Sequence, residues 1–360
     1  MKQQNFKLRR LTSVILCIFL SACGGGDGTG NGTASAPASA SSSLASVSMM
    51  AAPQKPTPPA ESALPTVHPG FNVQVYANVD EPMKLSFGPD GALYAGRQGG
   101  DRIHRIAPGG SSVSEFGPPM VDPDAVLVDA TGHISGVPNS VLVGGGGILA
   151  AIFPNQTSSV VFNSGFADVD DMKFDASGRL VFSDDAPRIL TSNGSAPTAL
   201  FSTPARPGSI AIDRKNRIFV ALADGTIRIY NADGTAADSA FATGLAGLDT
   251  YLAFGPGAGG FGRELYVLNG SDLLRFDTQG KTTLIGSGFS VGPSSGTGFL
   301  FGPDKALYVS EYAKNRILRI SRGNWDGRTA WGESNLDWPD AETIRRRLQQ
   351  IRYLGGLIPD

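Results

Sequence analysis

From Phe71 onward the chain alternates short apolar runs with tight polar turns, and the alternation has a long period. Leu85-Ser86-Phe87-Gly88-Pro89-Asp90-Gly91-Ala92-Leu93-Tyr94 reads as strand, turn, strand. Equivalent phrases recur at Met172–Phe182, Ile210–Phe219, Leu252–Val267 (with an insertion) and Phe299–Tyr308. A degenerate copy begins at Ala125-Val126-Leu127-Val128, and its second strand is delayed to Val141-Leu142-Val143. The anchors Phe87, Val128, Phe174, Ile212, Phe254 and Phe301 are spaced by 41, 46, 38, 42 and 47 residues. That period holds four short strands per unit. Third strands are expected at Arg102–Ile106, Thr226–Tyr230, Leu273–Phe276 and Arg316–Ile320, each with one apolar and one polar face. A four-stranded sheet cannot cover both its faces, whereas six packed radially bury one another and close a ring. The pattern therefore predicts an all-β, six-bladed propeller over 66–323. The last unit has only three strands, and Phe71–Ala77 is a single strand preceding the first. The two are expected to combine, so that the chain start completes the final blade and leaves no open edge.

Composition changes this picture little. Glycine is abundant, 47 of 360 residues, and charged residues are only 17%, as expected for turns and strands. A formal net charge of -2 without a basic block argues against nucleic-acid binding. Two cysteines, Cys17 and Cys23, and three histidines exclude a disulfide framework and a Cys/His zinc cluster.

The ends do not share the repeat. Residues 1–22 have a basic start, a short apolar run and small residues, the layout of a secretory signal peptide. Leu20-Ser21-Ala22-Cys23 resembles a bacterial lipobox. The resemblance implies lipidation at Cys23, anchoring to a membrane through that lipid, and, with Gly24 following, the outer membrane as destination. Residues 23–65 are rich in Gly, Ser, Ala and Pro and read as a flexible tether spanning roughly 35 Å. The extension 324–360 contains Trp325, Trp331 and Trp338, then a stretch placing Ala341, Ile344, Leu348 and Ile351 on one helical face.

The repeats resemble NHL-repeat and SMP-30/gluconolactonase-like six-bladed propellers, most clearly in Asn315-Arg316-Ile317-Leu318-Arg319-Ile320 after Leu307-Tyr308-Val309. In the gluconolactonase-like enzymes the residue four before each anchor supplies ligands to one divalent metal, usually Ca²⁺. Here those positions hold Met83, Asp124, Asp170, Gly208, Thr250 and Thr297. The resemblance implies Asp124 and Asp170 as catalytic and metal-binding candidates. Asp171, Asp249 and Glu81 are neighbours able to add carboxylates. Positions ending the second strands, among them Arg97, Asp185, Asn269 and Glu311, are candidate ligand contacts or ion pairs around the channel. Gly70-Phe71-Asn72-Val73-Gln74-Val75-Tyr76 also resembles quinone-dependent sugar dehydrogenases, but their catalytic histidine and basic cofactor contacts find no match. No His has the spaced partners of a serine-hydrolase triad. The expected function is binding of a small molecule, glycan or protein partner at the propeller mouth. The alternative is a Ca²⁺-dependent lactonase or esterase.

Overall fold

The computed structural model describes residues 63–292 and 295–322, with the side chains of 238 and 239 left aside. The stretch read as a signal peptide, Cys23, nearly all of the expected tether and the extension with its expected helix lie outside the described residues.

Six antiparallel sheets follow one another, each numbered here by its innermost strand. Blade 1 runs through Pro82–Phe87, Leu93–Arg97, Ile103–Ile106 and Val113–Phe116. Blade 2 is Ala125–Asp129, Ser140–Gly145, Ile148–Ile152 and Ser158–Phe162. Blade 3 is Asp171–Phe174, Leu180–Ser183, Arg188–Ser192 and Thr198–Ser202. Blade 4 is Pro207–Ile212, Ile218–Leu222, Ile227–Tyr230 and Ala236–Ala242. Blade 5 is Thr250–Phe254, Leu265–Asn269, Asp272–Phe276 and Thr282–Ser287. Blade 6 takes Phe299–Phe301, Leu307–Glu311 and Arg316–Arg322 from the chain end and Phe71–Asn78 from near its start. Each innermost strand abuts the next, and the sixth abuts the first, so the ring is closed.

The expected closure is present. Phe71 pairs with Arg322, Val73 with Ile320 and Asn78 with Arg316. A bulge between Val75 and Ala77 lets the strand follow the blade's twist. One element has no counterpart in the repeat pattern: Thr66–Val67 pairs with Ser287 and Gly286 as a fifth strand on blade 5. Its two residues are too few for any periodicity to show.

The apolar interior is six separate clusters, one for each blade interface. This is the outcome expected when every sheet buries both faces against neighbours. Side chains also bridge the innermost strands. Ser86 Oγ accepts the Val128 N–H at 2.9 Å, Asp171 Oδ2 accepts the Ile210 N–H at 2.9 Å, and Ser209 Oγ accepts the Leu252 N–H at 3.1 Å. Inner-strand amides that face the channel thus find partners on the preceding blade. The recurring turn phrase has an equally local cause. Asp175 Oδ1 accepts the amides of Ser177 and Arg179 while Oδ2 takes the Arg179 guanidinium at 3.0 Å, and Asp213 does the same with Lys215 and Arg217.

The degenerate second unit keeps its phase through one buried carboxylate. Asp129 accepts amides from His133, Ile134 and Ser135, folding the extra residues into a tight excursion before Ser140.

Deleting residues 63–78 removes the closing strand and exposes the Arg316–Arg322 edge. Loss of the sharp thermal transition is the expected result, and an unchanged melt would show that closure is dispensable. Gly96→Ala should cost about 1–3 kcal/mol, because its Cβ would stand 1.9 Å from the Asp124 carbonyl oxygen on the adjoining blade. Denaturant melts measure that loss.

Candidate functional site

The innermost strands begin at one mouth of the channel, and the six positions four before the anchors form a ring there. Asp124 sits in the turn entering blade 2. Pro123 O accepts the Arg97 N–H at 2.9 Å and Asp124 O accepts the Lys84 N–H at 3.2 Å, so this turn is fastened to blade 1. Asp170 enters blade 3, where Ser183 O accepts its N–H at 3.1 Å. Its Oδ1 accepts Arg206 Nη2 at 2.8 Å, and the same guanidinium pairs with Asp185 at 2.5 Å.

Asp124 Oδ1 and Asp170 Oδ2 are buried and have no hydrogen-bond partner among the described residues. The same holds for Asn269 Nδ2 and Ser295 Oγ. Ser295 belongs to the connection from blade 5 to blade 6. A Cβ on Gly208 would lie 2.9 Å from its Oγ, so the connection reaches across to the blade 4 position of the ring. Thr297 Oγ1 from the same connection accepts the Gly292 N–H, and Tyr251 donates its hydroxyl to Gly292 O at 3.4 Å. Buried polar groups are rarely left unpaired, and these four, together with Arg206 Nε, are the candidates for contact with a ligand or water at the mouth.

Lys84, in the first innermost strand, is buried, and its Nζ lies 5.1 Å from the centroid of the Tyr251 ring. Among the described residues it makes no salt bridge within 4.0 Å. Burial pushes its pKa down, and the carboxylates of Asp171, Asp170 and Asp124 oppose that. Below the mouth a cavity of about 130 Å³ is lined by Lys84, Ser86, Asp171, Lys173, Ser209 and Thr297 among others.

The two ring carboxyls are displaced by different amounts. Burial, with Asp168, Asp122 and Asp170 nearby, pushes Asp124 up to about 8. Burial also raises Asp170, to about 6, but the Arg206 hydrogen bond and charge hold it lower. Near neutral pH Asp124 therefore keeps its proton and can donate, while Asp170 is largely ionised and can accept.

The other predicted residues are dispersed. Asp171 is one position too deep. Burial would raise its carboxyl, but Lys173, Lys84 and the Ile210 N–H hold it below the ordinary range, and both oxygens are engaged, one by Lys173 Nζ at 2.5 Å. Asp249 lies in the short turn Gly247–Asp249, its carboxyl raised by burial alone. Glu81 faces the rim, where its Oε1 accepts the Tyr312 hydroxyl at 3.3 Å. The five metal candidates thus do not converge. Among the described residues no three His, Cys, Asp or Glu side chains stand together as a metal site. Met83, buried and without oxygen, holds the ring position where a carboxylate is expected, and Arg206 and Lys84 bring positive charge to the two that are present. This donor set does not fit a calcium ion, which wants six to eight oxygens. Of the second-strand candidates, Arg97 pairs with Asp80 and with Glu115 at 3.8 Å on the rim. Glu311, fully buried, is taken up by Arg316 at 2.5 Å, Lys314 at 3.2 Å and the Ser290 N–H at 2.8 Å. Asp185 joins the site through Arg206. Asn269 holds Ala246 N–H with its Oδ1 at 2.7 Å and leaves its Nδ2 free.

Lys84, Arg206, Asp168 and Ser295 escaped the sequence reading. Lys84 had a signal, the one cation at a repeat position whose other copies carry Ala125, Asp171, Ser209, Tyr251 and Gly298.

No protein-family model matches the chain, and no curated protein matches its sequence. Solved structures do match in fold. A gluconolactonase from Xanthomonas campestris is 14% identical with TM-score 0.59, the match covering 76% of this chain and 99% of that one. The PQQ domain of a pyranose dehydrogenase from Coprinopsis cinerea is 12% identical with TM-score 0.52, over 75% and 99%. At these identities the likeness is one of fold.

The raised Asp124 carboxyl makes the mouth costly at high pH. The folded state holds this proton from the ordinary value of 3.8 up to about 8, and the unfolded chain does not. Stability from this group is therefore full at acid pH and is lost as pH rises toward about 8. Asp124→Asn should melt higher than wild type at about pH 8 and with it at about pH 4. Melting temperature against pH decides, and a variant advantage that shrinks as pH rises contradicts the assignment.

Proposed function

We propose that this chain is a lipid-anchored envelope protein whose propeller binds a small, hydroxyl-rich, uncharged molecule at the channel mouth. The observation that carries this reading is the set of four unpartnered buried polar atoms, on Asp124, Asp170, Asn269 and Ser295. They mix donors and acceptors, the complement of a polyol or sugar ring. The surrounding Asp122, Asp168 and Asp185 disfavour an anionic ligand. Lys84 and Arg206 sit deeper or paired, and hold Asp170 in its ionised form. The lipobox at Cys23 and the tether support placement on the envelope, clear of the lipid surface.

The split between Asp124 and Asp170 favours a second reading, hydrolysis of a sugar lactone. Asp170 would take a proton from the attacking water, and Asp124 would give its own to the ring oxygen as the acyl–oxygen bond breaks. The fold shared with a gluconolactonase agrees with this reading, while the donor set gives calcium no part in it.

Calorimetric titration with glucose and gluconolactone, each in calcium and in a chelator, tests both readings. Binding that is unchanged by the chelator and at least tenfold weaker in Asp170→Asn is the expected result. Lactone hydrolysis lost in Asp124→Asn and Asp170→Asn would select the second reading. No binding by wild type, or equal binding by the variants, overturns the site. For the anchor, Cys23→Ser should abolish fatty-acid labelling and move the protein from the membrane to the soluble fraction.

A further inference from the structure

Lysine is a side chain that proteins keep in water, and among the described residues only one lysine is buried, Lys84. It lies in the innermost strand of blade 1, and its side chain crosses the channel toward blade 5, where Nζ stands 5.1 Å from the centroid of the Tyr251 ring. Among the described residues its amine has neither a hydrogen bond nor a salt bridge. A second lysine in the same channel supplies the contrast. Lys173 donates Nζ to Asp171 Oδ1 at 2.5 Å and to Met172 O at 3.2 Å, so its charge is matched. The two oxygens of Asp171 are taken by that lysine, by the Ser209 hydroxyl and by the amides of Met172 and Ile210.

Lys84 borders open space. Together with Ser86, Lys173, Ser209, Thr297 and Gly298 it lines the cavity of about 130 Å³ below the mouth. Liquid water takes about 30 Å³ per molecule, so the space suits an organic molecule of about four heavy atoms. Gly298, at the position of blade 6 equivalent to Lys84, brings no side chain to it. Ser86 Oγ accepts the Val128 N–H at 2.9 Å and gives its own proton to no described residue, which leaves it able to donate to a ligand oxygen. Burial pushes the Lys84 amine down and Lys173 adds to that, while Asp171, Asp170 and Asp124 oppose it. A desolvated lysine gives up its proton more readily than an exposed one and becomes a nucleophile toward carbonyl carbon. The surroundings also select the product. Three carboxylates and the face of Tyr251 favour a cation on that nitrogen and disfavour an anion beside it. A neutral aldehyde, which yields a protonated imine, meets that requirement, and a carboxylate or phosphate ligand does not.

We infer that Lys84 condenses with the carbonyl of a small uncharged aldehyde in the channel cavity below the mouth. The nitrogen attacks the carbonyl carbon, and the carbon–oxygen bond breaks as the carbon–nitrogen double bond forms. Two of the three ammonium protons leave with the oxygen as water. The iminium keeps the third proton and the positive charge, so the charge that Lys84 presents to Asp170 is preserved. No electrons pass to or from a further reactant. This site is separate from the four unpartnered atoms of the mouth and does not depend on what they bind.

The test is reductive trapping. The full chain is incubated with glycolaldehyde and sodium cyanoborohydride, which reduces an imine to a stable secondary amine, and the modified lysines are mapped by peptide mass spectrometry. Lys84 should be alkylated at least about tenfold faster than the exposed Lys215, Lys281 and Lys305, with a rate that saturates as glycolaldehyde is raised. Lys84→Arg and Lys84→Met, checked for folding by circular dichroism, should lose the fast phase and keep the slow labelling of the exposed lysines. The mapping on the wild-type chain decides even if neither variant folds. Labelling of Lys84 no faster than that of the exposed lysines overturns the inference. A rate that rises in proportion to glycolaldehyde without a plateau overturns it too, since it shows an accessible amine and no site. Saturable trapping on Lys84 in a protein that binds neither glucose nor gluconolactone upholds it and rejects only the reading of the mouth.

Discussion

The pairing of Phe71–Asn78 with Arg316–Arg322 is the constraint on which everything else rests. A row of blades has two ends, and each end leaves one sheet face and one set of channel-facing amides exposed to water. Joining the start of the chain to its finish removes both ends at once. The cluster around Phe71, Leu318 and Ile320 and the one around Ala77, Val79 and Ile317 exist only because the closing strand is there. The channel does too. Met83 and Thr297 come from opposite ends of the repeat array and become neighbours on one ring because the sixth blade abuts the first.

Once closed, the ring gathers charged side chains into a partly buried space. Burial drives Asp124, Asp168 and Asp170 upward, Asp168 and Asp170 add to this at Asp124, Asp185 adds to it at the other two, and Arg206 and Lys84 limit the effect. The outcome is a division of labour between two chemically identical side chains. Asp170, bonded to a guanidinium, stays largely ionised at neutral pH. Asp124, with one oxygen unpartnered, keeps its proton. A molecule selected only for stability would pair that oxygen or replace it. Retaining an unpaired buried acid at a channel mouth costs free energy.

The structural carboxylates make the contrast visible. Asp129, Asp171 and Glu311 are each buried, and each has its oxygens filled by amides, hydroxyls or cations from this chain. Asp171 differs from Asp170 by one position in sequence, yet the alternation of a strand turns it toward Ser209 and Ile210, where it fastens two blades together. Proximity in sequence to a site residue thus says little about membership of the site.

Blade number, repeat phase, the strand before the first repeat and its role in closure were all legible from the spacing of Phe87, Phe174, Ile212 and their equivalents. These features follow from local periodicity and from the need to bury both faces of every sheet, which a linear pattern records. Asp124 and Asp170 were legible as well, because a fixed offset from each anchor selects one ring of the channel. The rest was decided in three dimensions. Whether a carboxylate is free depends on which cation or amide arrives from another blade: Arg206 for Asp170, Arg316 for Glu311, Lys173 and Ile210 for Asp171. The failure of Glu81, Asp171 and Asp249 to join one shell, and the entry of Lys84 and Ser295 beside the acid pair, are consequences of that long-range pairing. A sequence states which groups are present and with what period, whereas burial, charge state and vacancy at a hydrogen-bonding atom are properties of its neighbours in space.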